Sequence, residues 1–201
     1  MSEPGFTGRV RRAATRVLLS FAVCALTPAG LSAQSGDSEA GEAAVFGGGV
    51  VGIGSHPAVG GSAGLAFSRL AMLLLETSFS PLGNTSVRPA PPGAVLDASR
   101  LYDFNLGLHI RIPVRDRWAP YAILGGGALW NTFDQTVTGP GAGPVVSHHS
   151  NFDFGFHTGA GLRYYIRDNW GIRPEVKVVV SKQTYTRLSI GIFYVIPQSW
   201  P

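Results

Sequence analysis

The stretch Asn151 to Ile166, NFDFGFHTGAGLRYYI, decides the fold. Alternate residues of an extended strand point to opposite faces. Here Phe152, Phe154, Phe156, Thr158, Ala160, Leu162, Tyr164 and Ile166 fall on one face, and Asp153, Gly155, His157, Gly159, Gly161, Arg163 and Tyr165 on the other. One face is greasy and the other is small or charged. At roughly 3.3 Å per residue the stretch reaches about 50 Å, well beyond the usual 17–20 Å or so of a soluble strand. That is long enough for a tilted membrane crossing with an overhang, and it predicts a strand of a membrane barrel.

The tail of this stretch recurs. Gly161-Leu162-Arg163-Tyr164 has counterparts in Gly64-Leu65-Ala66-Phe67, Gly107-Leu108-His109-Ile110 and Gly191-Ile192-Phe193-Tyr194. Read as glycine inward and apolar residue outward, the copies mark four strands running the same way. Each needs a returning partner, which makes eight.

Residues 1–33 read as a secretory signal peptide. Arg9, Arg11, Arg12 and Arg16 precede the apolar run Val17–Leu26, and Thr27-Pro28 leads to a small-residue stretch ending at Ala33. The apolar run is too short for a transmembrane helix, which needs about 20 residues. A lipidated Cys24 is the alternative, but Val23 is too large for the position before it. Cleavage takes away four Arg and one Glu, so the formal net charge falls from +4 to about +1, and the basic balance says little about nucleic acid. It also removes the single cysteine, which excludes a disulfide frame and a cysteine-based metal or redox site.

Residues 34–43, QSGDSEAGEA, are polar and lack branched apolar residues, so a flexible leader is expected there. The barrel is expected over 44–196 and a tail over 197–201. Strands are predicted at 44–53, 59–68, 71–80, 100–112, 118–130, 151–166, 171–182 and 185–196. Within the third, Met72-Leu73-Leu74-Leu75 suits a buried helix equally well by periodicity, and Thr77, Ser78 and Phe79 favour strand. A loop is placed around Ser55-His56-Pro57, and long loops at 81–99 and 131–150. Both long loops fall on the end opposite the short turns near Arg69, Asp116 and Asp168, and this asymmetry is the habit of outer-membrane barrels. Trp118 and Trp130 share a face and, in a tilted strand, would stand about 30 Å apart in height, near the spacing of two aromatic girdles.

Alternation alone also permits a secreted, lipocalin-like barrel that is greasy inside. A soluble surface carries about 25–35% charged residues. This chain has only 14% over its whole length, and its non-greasy face is largely Gly, Ser and Ala. That composition suits the crowded interior of an eight-stranded barrel, which has room for side chains but not for a wide pore.

The segments WAPYAILGGGALW (118–130), GAGLRYYIRDNWGIRPEVKV (159–178) and LSIGIFYVI (188–196), with the leader, resemble the eight-stranded outer-membrane β-barrel family of the OmpA/OmpX type. The resemblance implies an all-β, antiparallel, up-and-down transmembrane barrel in the outer membrane of a Gram-negative-type cell. It also implies contact with outer-membrane lipid and with the barrel-assembly machinery, and a structural or surface-interaction role. Members commonly end on an aromatic residue, whereas the last strand here runs to Ile196 and then Pro197. An extracellular ligand, if bound, would meet the loops at 81–99 and 131–150. Neither nucleic acid nor a cofactor or metal is expected.

Two constellations are candidates for chemistry. His148-x-Ser150-Asn151 resembles the His-x-Ser-Asn of lipid A deacylase barrels, in which the Ser attacks an ester, the His takes its proton and an acid further along the chain orients the His. The matching acid position here is Leu162, and Asp153 is expected to point inward. The sequence is therefore read as a non-enzymatic barrel, with an esterase using His148 and Ser150 as the alternative. The second constellation is the inward set His109, His157, Asp103, Asp153, Arg111, Arg163, Arg173, Glu175 and Lys177, which is expected to neutralise itself. A turn at Asp168 places Glu175 opposite Gly161 and Lys177 opposite Gly159, and a register shifted by two places Glu175 opposite Arg163. Glu175 is expected to anchor this interior, and Glu42, in the leader, to be dispensable.

Overall fold

The computed structural model describes residues 39–86, 95–112, 117–137 and 144–197. Eight antiparallel strands follow one another around a closed barrel: β1 (Glu39–Val51), β2 (Ser55–Ala66), β3 (Ala71–Gly83), β4 (Val95–Arg111), β5 (Trp118–Val137), β6 (Val145–Arg167), β7 (Trp170–Val180) and β8 (Thr184–Pro197). Pairing of β1 with β8 closes the sheet, so every strand has a neighbour on both sides. The expected signal peptide, residues 34–38 of the leader and the tail beyond Pro197 lie outside the described residues, as do the turn at 113–116 and the loop tips at 87–94 and 138–143.

The greasy face points outward. Phe154 and Phe156 are 78% and 79% exposed while Asp153, His157 and Arg163 between and beyond them are buried. The four repeated glycines lie on β2, β4, β6 and β8, which run in one direction, and each is followed by an outward Leu or Ile. The leucine run 72–75 is strand, with Met72 and Leu74 inside and Leu73 and Leu75 outside.

Aromatic residues mark two levels of this outer wall. Phe79, Tyr102, Trp130 and Phe152 are directly paired across β3 to β6, and neighbouring rings of the first three stand 5.3–5.4 Å apart. Toward the short-turn end Trp118 packs on Tyr164 at 4.4 Å, and Trp170 pairs with Tyr194. Amphipathic rings at the two rims of an apolar band suit the two headgroup levels of a bilayer.

The structure corrects several boundaries. Residues 39–43, expected in the flexible leader, are the start of β1, because Glu42 is drawn into the barrel by buried arginines. The first hairpin turns at Gly52–Gly54, not around His56; Gly52 and Gly54 take φ of 108° and 102°, a region glycine enters without penalty. The two long loops are shorter than expected, since β3 and β4 reach Gly83 and Val95 while β5 and β6 reach Val137 and Val145. Asn131–Val137 pair with Val145–Asn151 as a ladder beyond the aromatic row, so the expected 131–150 loop is mostly a projecting hairpin.

Candidate functional site

The interior is layered along the barrel axis. Near the long-loop end Val50, Leu82, Leu101, Leu129, Val179 and Tyr185 form an apolar plug. Beneath it the strands deliver charges in two linked clusters. Glu76 on β3 accepts from Lys177 Nζ on β7 at 2.8 Å and from Arg187 on β8. Arg187 also donates to Ser78 Oγ at 3.0 Å, approaches Asp103 at 3.6 Å, and lies 4.9 Å over the Phe46 ring. Closer to the short turns, Glu42 pairs with Arg163 at 2.8 Å and with Arg173 at 2.5 Å, and Arg173 donates to Ser62 Oγ at 3.1 Å.

Glu175 bridges the clusters. It sits 3.2 Å from Lys177 and 3.8 Å from both Arg173 and Arg187, and it accepts from Tyr121 Oη at 2.9 Å. At the short-turn mouth Arg111 pairs with Glu39, whose carboxylate also accepts from Tyr165 Oη at 3.0 Å. Charges this buried persist only when paired and hydrogen-bonded, so the network is the condition for a folded barrel rather than an ornament on it.

The first of the two anticipated registers is observed: Gly161 faces Glu175 and Gly159 faces Lys177. A bulge between Tyr165 and Arg167 absorbs the difference between that ladder and the tight turn at Asp168-Asn169. Glycine at 161 leaves room for Tyr121, because a methyl there would meet its ring and hydroxyl. Of the expected cationic partners of Glu175, Arg173 and Lys177 are present, while Arg163 pairs with Glu42 instead.

Sequence reading missed Glu42, Glu76, Arg187, Tyr121 and Tyr185. For Glu76 the signal was available, since it shares the period-2 face of Met72, Leu74 and Ser78. His109 stacks on Tyr121 at 4.9 Å, and Tyr185 Oη donates to Asp103 at 3.3 Å.

The segment His148-His149-Ser150-Asn151 lies on the projecting part of β6. His148 and Ser150 face outward, and His148 Nδ1 hydrogen-bonds Asp134 Oδ1 on β5 at 2.5 Å. Asn131, the cross-strand partner of Asn151, faces inward and bonds Ser86 and Ser99 at 2.5 and 3.0 Å. A groove of about 580 Å³ on the outside of β4–β6 is lined by Arg100, Tyr102, Trp130, Asp134, His148 and Ser150, among others.

The family model for the outer membrane protein beta-barrel domain matches residues 18–193. The chain belongs to that family. Solved structures with the same fold include the N-terminal beta-barrel domain of Pseudomonas aeruginosa OprF (16% identity, covering 79% of this chain and 99% of that one, TM-score 0.51). A major outer membrane protein from Thermus thermophilus is 12% identical over 78% of this chain and 100% of its own, with a TM-score of 0.56. Ail, the attachment invasion locus protein of Yersinia pestis, is 15% identical over 79% and 99%, with a TM-score of 0.48. No curated protein matches the sequence. At such identities the likeness is one of fold: this chain is an eight-stranded outer-membrane-type barrel, as its alternation implies.

Proposed function

We propose that this family member resides in the outer membrane, delivered there through its leader, and serves as a small structural barrel that presents the β3–β4 and β5–β6 hairpins for surface contacts. Outer-membrane lipid surrounds it, and the barrel-assembly machinery inserts it. The observation that carries this reading is the occupied interior. The plug of Val50, Leu82, Leu101, Leu129 and Val179 and the ion pairs of Glu76, Glu175 and Glu42 occupy the interior, which in an eight-stranded barrel has room for side chains but not for a wide pore. What remains available for work is the outer wall and the hairpin that continues about seven residues per strand beyond the aromatic row.

Two measurements test this reading. Purified folded barrel in a planar bilayer is expected to add no steady conductance to that of lipid, and a stable open-channel current refutes the filled interior. Replacing 132–150 by a two-residue turn is expected to leave the heat-modifiable gel mobility of the folded barrel intact while removing attachment of cells displaying the chain. Attachment that survives the replacement shows that the hairpin is not the contact surface.

A further inference from the structure

β6 outruns its neighbour on one side. Its ladder with β5 extends from Val145 to Tyr164, but its ladder with β7 begins only at Phe156, where β7 ends at Val180. Ser181 Oγ then donates to the Phe154 carbonyl at 3.0 Å, and among the described residues no strand pairs with Val145–Asp153 from that side. The projecting part of the barrel is therefore a sheet of β4, β5 and β6 in which β6 is an open edge.

An unpaired edge is a template for another strand, and proteins ordinarily blunt it with charge, proline or a bulge. The opposite edge of this sheet is blunted. There β4 carries Asp97 and a bulge between Asp97 and Arg100, with Ala98 at φ 48°. The β6 edge has none of these devices. Val145-Val146-Ser147-His148-His149-Ser150 contains no Lys, Arg, Asp, Glu or Pro and is exposed on both faces, Val145 and Val146 by 60% and 56%. Such a run, low in charge and free of proline, is the kind that pairs with itself.

From this edge we infer that the partner of the projecting hairpin is a second copy of this chain, carried by a facing membrane and joined through antiparallel β6 edges. The inference rests on the proposed role of the hairpin in surface contacts and names what it meets. Direction requires the facing membrane. Copies in one bilayer all run β6 from the hairpin toward the short turns, so a two-fold axis along the membrane normal leaves two β6 edges running the same way along that normal. A two-fold axis lying between two facing membranes reverses one of them, and the edges meet antiparallel, the more stable pairing.

Register follows from reach. Ser147 stands about 16 Å along the strand beyond Phe152 of the aromatic row. A two-fold centre there sets Ser147 against Ser147 of the second copy, Val146 against His148 and Val145 against His149. A centre nearer Phe152 pushes each hairpin tip toward the other bilayer, and one nearer Val145 leaves too few rungs. The two projecting sheets then join into one across the axis, as in strand addition to any open edge. So short a ladder holds weakly alone, but many copies between two membranes act together, which makes the contact reversible singly and firm collectively.

The test uses the full folded barrel in phosphatidylcholine vesicles, hairpins outward, with clustering followed by light scattering. Wild-type vesicles are expected to cluster, and protein-free vesicles to stay dispersed. Ser147→Lys and Ser147→Glu each set like charges across the two-fold axis, so either alone should abolish clustering. Mixing the two sets of vesicles should restore it, because lysine then faces glutamate. Val95→Lys, on the blunted β4 edge, should cluster as wild type does. Gel mobility of unboiled samples confirms that each variant is folded. Wild-type vesicles that stay dispersed, clustering that survives Ser147→Lys, or mixed vesicles that stay dispersed overturn the pairing of copies. The hairpin as contact surface fails separately, when cells still attach after replacement of 132–150. Attachment that is lost on that replacement but unchanged in Ser147→Lys marks a foreign partner, and it overturns the second copy as occupant of the edge.

Discussion

Glu42→Ala is expected to destabilise the barrel more than Glu175→Ala, the reverse of the order the sequence suggests. Glu42 carries the main ionic contacts of two buried guanidinium groups, Arg163 at 2.8 Å and Arg173 at 2.5 Å. Once it is gone, Arg163 keeps its position over the rings of Tyr121 (5.1 Å) and Phe193 (5.9 Å) and its contact with Met72 sulfur, and gains no new counter-charge. Stranding a buried charge in this way costs about 3–5 kcal/mol. The partners of Glu175 are better insured. Lys177 retains Glu76, Arg173 retains Glu42, and Arg187 retains Glu76 and Asp103. Removing Glu175 therefore resembles the loss of a satisfied polar group, about 1–3 kcal/mol, with Tyr121 Oη left without its acceptor.

With a urea slope of about 2 kcal/mol/M, the midpoint should fall by about 1.5–2.5 M for Glu42→Ala and about 0.5–1.5 M for Glu175→Ala. Glu42→Gln should lie between wild type and Glu42→Ala. The assay is urea titration of barrel refolded in lipid vesicles, read by tryptophan fluorescence and by the mobility of unboiled samples. Equal midpoints for wild type and Glu42→Ala would place residues 39–43 outside the barrel and refute the argument.

Two further outcomes follow from the same interior. Gly161→Ala should cost about 1–3 kcal/mol, because its methyl displaces Tyr121 from Glu175; a midpoint unchanged in the same titration would show that Tyr121 has room to move. Glu76→Ala should approach Glu42→Ala in effect, and Glu76→Ala combined with Lys177→Met should cost less than the sum of the two, since each already forfeits the 2.8 Å pair; strict additivity would show that the pair is not coupled.

What the sequence reveals is whatever lipid and strand geometry impose. Phe152, Phe154 and Phe156 must face acyl chains, which fixes the phase of β6 and, through the turn at Asp168, the partners of Glu175. The start of β1 is hidden for the opposite reason. Small and polar residues such as those of 39–43 read as solvated chain, yet inside a barrel a carboxylate is what buried arginines require, and Arg163 and Arg173 lie more than a hundred residues away along the chain. The projecting hairpin is hidden because residues 131–137 and 145–150 carry no greasy alternation that would announce a strand. The Asp134–His148 contact depends on the β5–β6 register, which spacing along one strand does not contain.

The central claim is that the greasy face meets lipid and the polar face is enclosed. Spin labels placed singly at 152 to 157 in bilayer-embedded barrel test it directly, since the only native cysteine, Cys24, precedes β1. Labels at 154 and 156 should collide freely with membrane-dissolved oxygen and hardly at all with a water-soluble nickel chelate, while labels at 155 and 157 should be shielded from both. Free collision of the nickel chelate at 153, 155 and 157, with the phenylalanine positions 154 and 156 shielded from oxygen, would mean a water-soluble barrel turned the other way round.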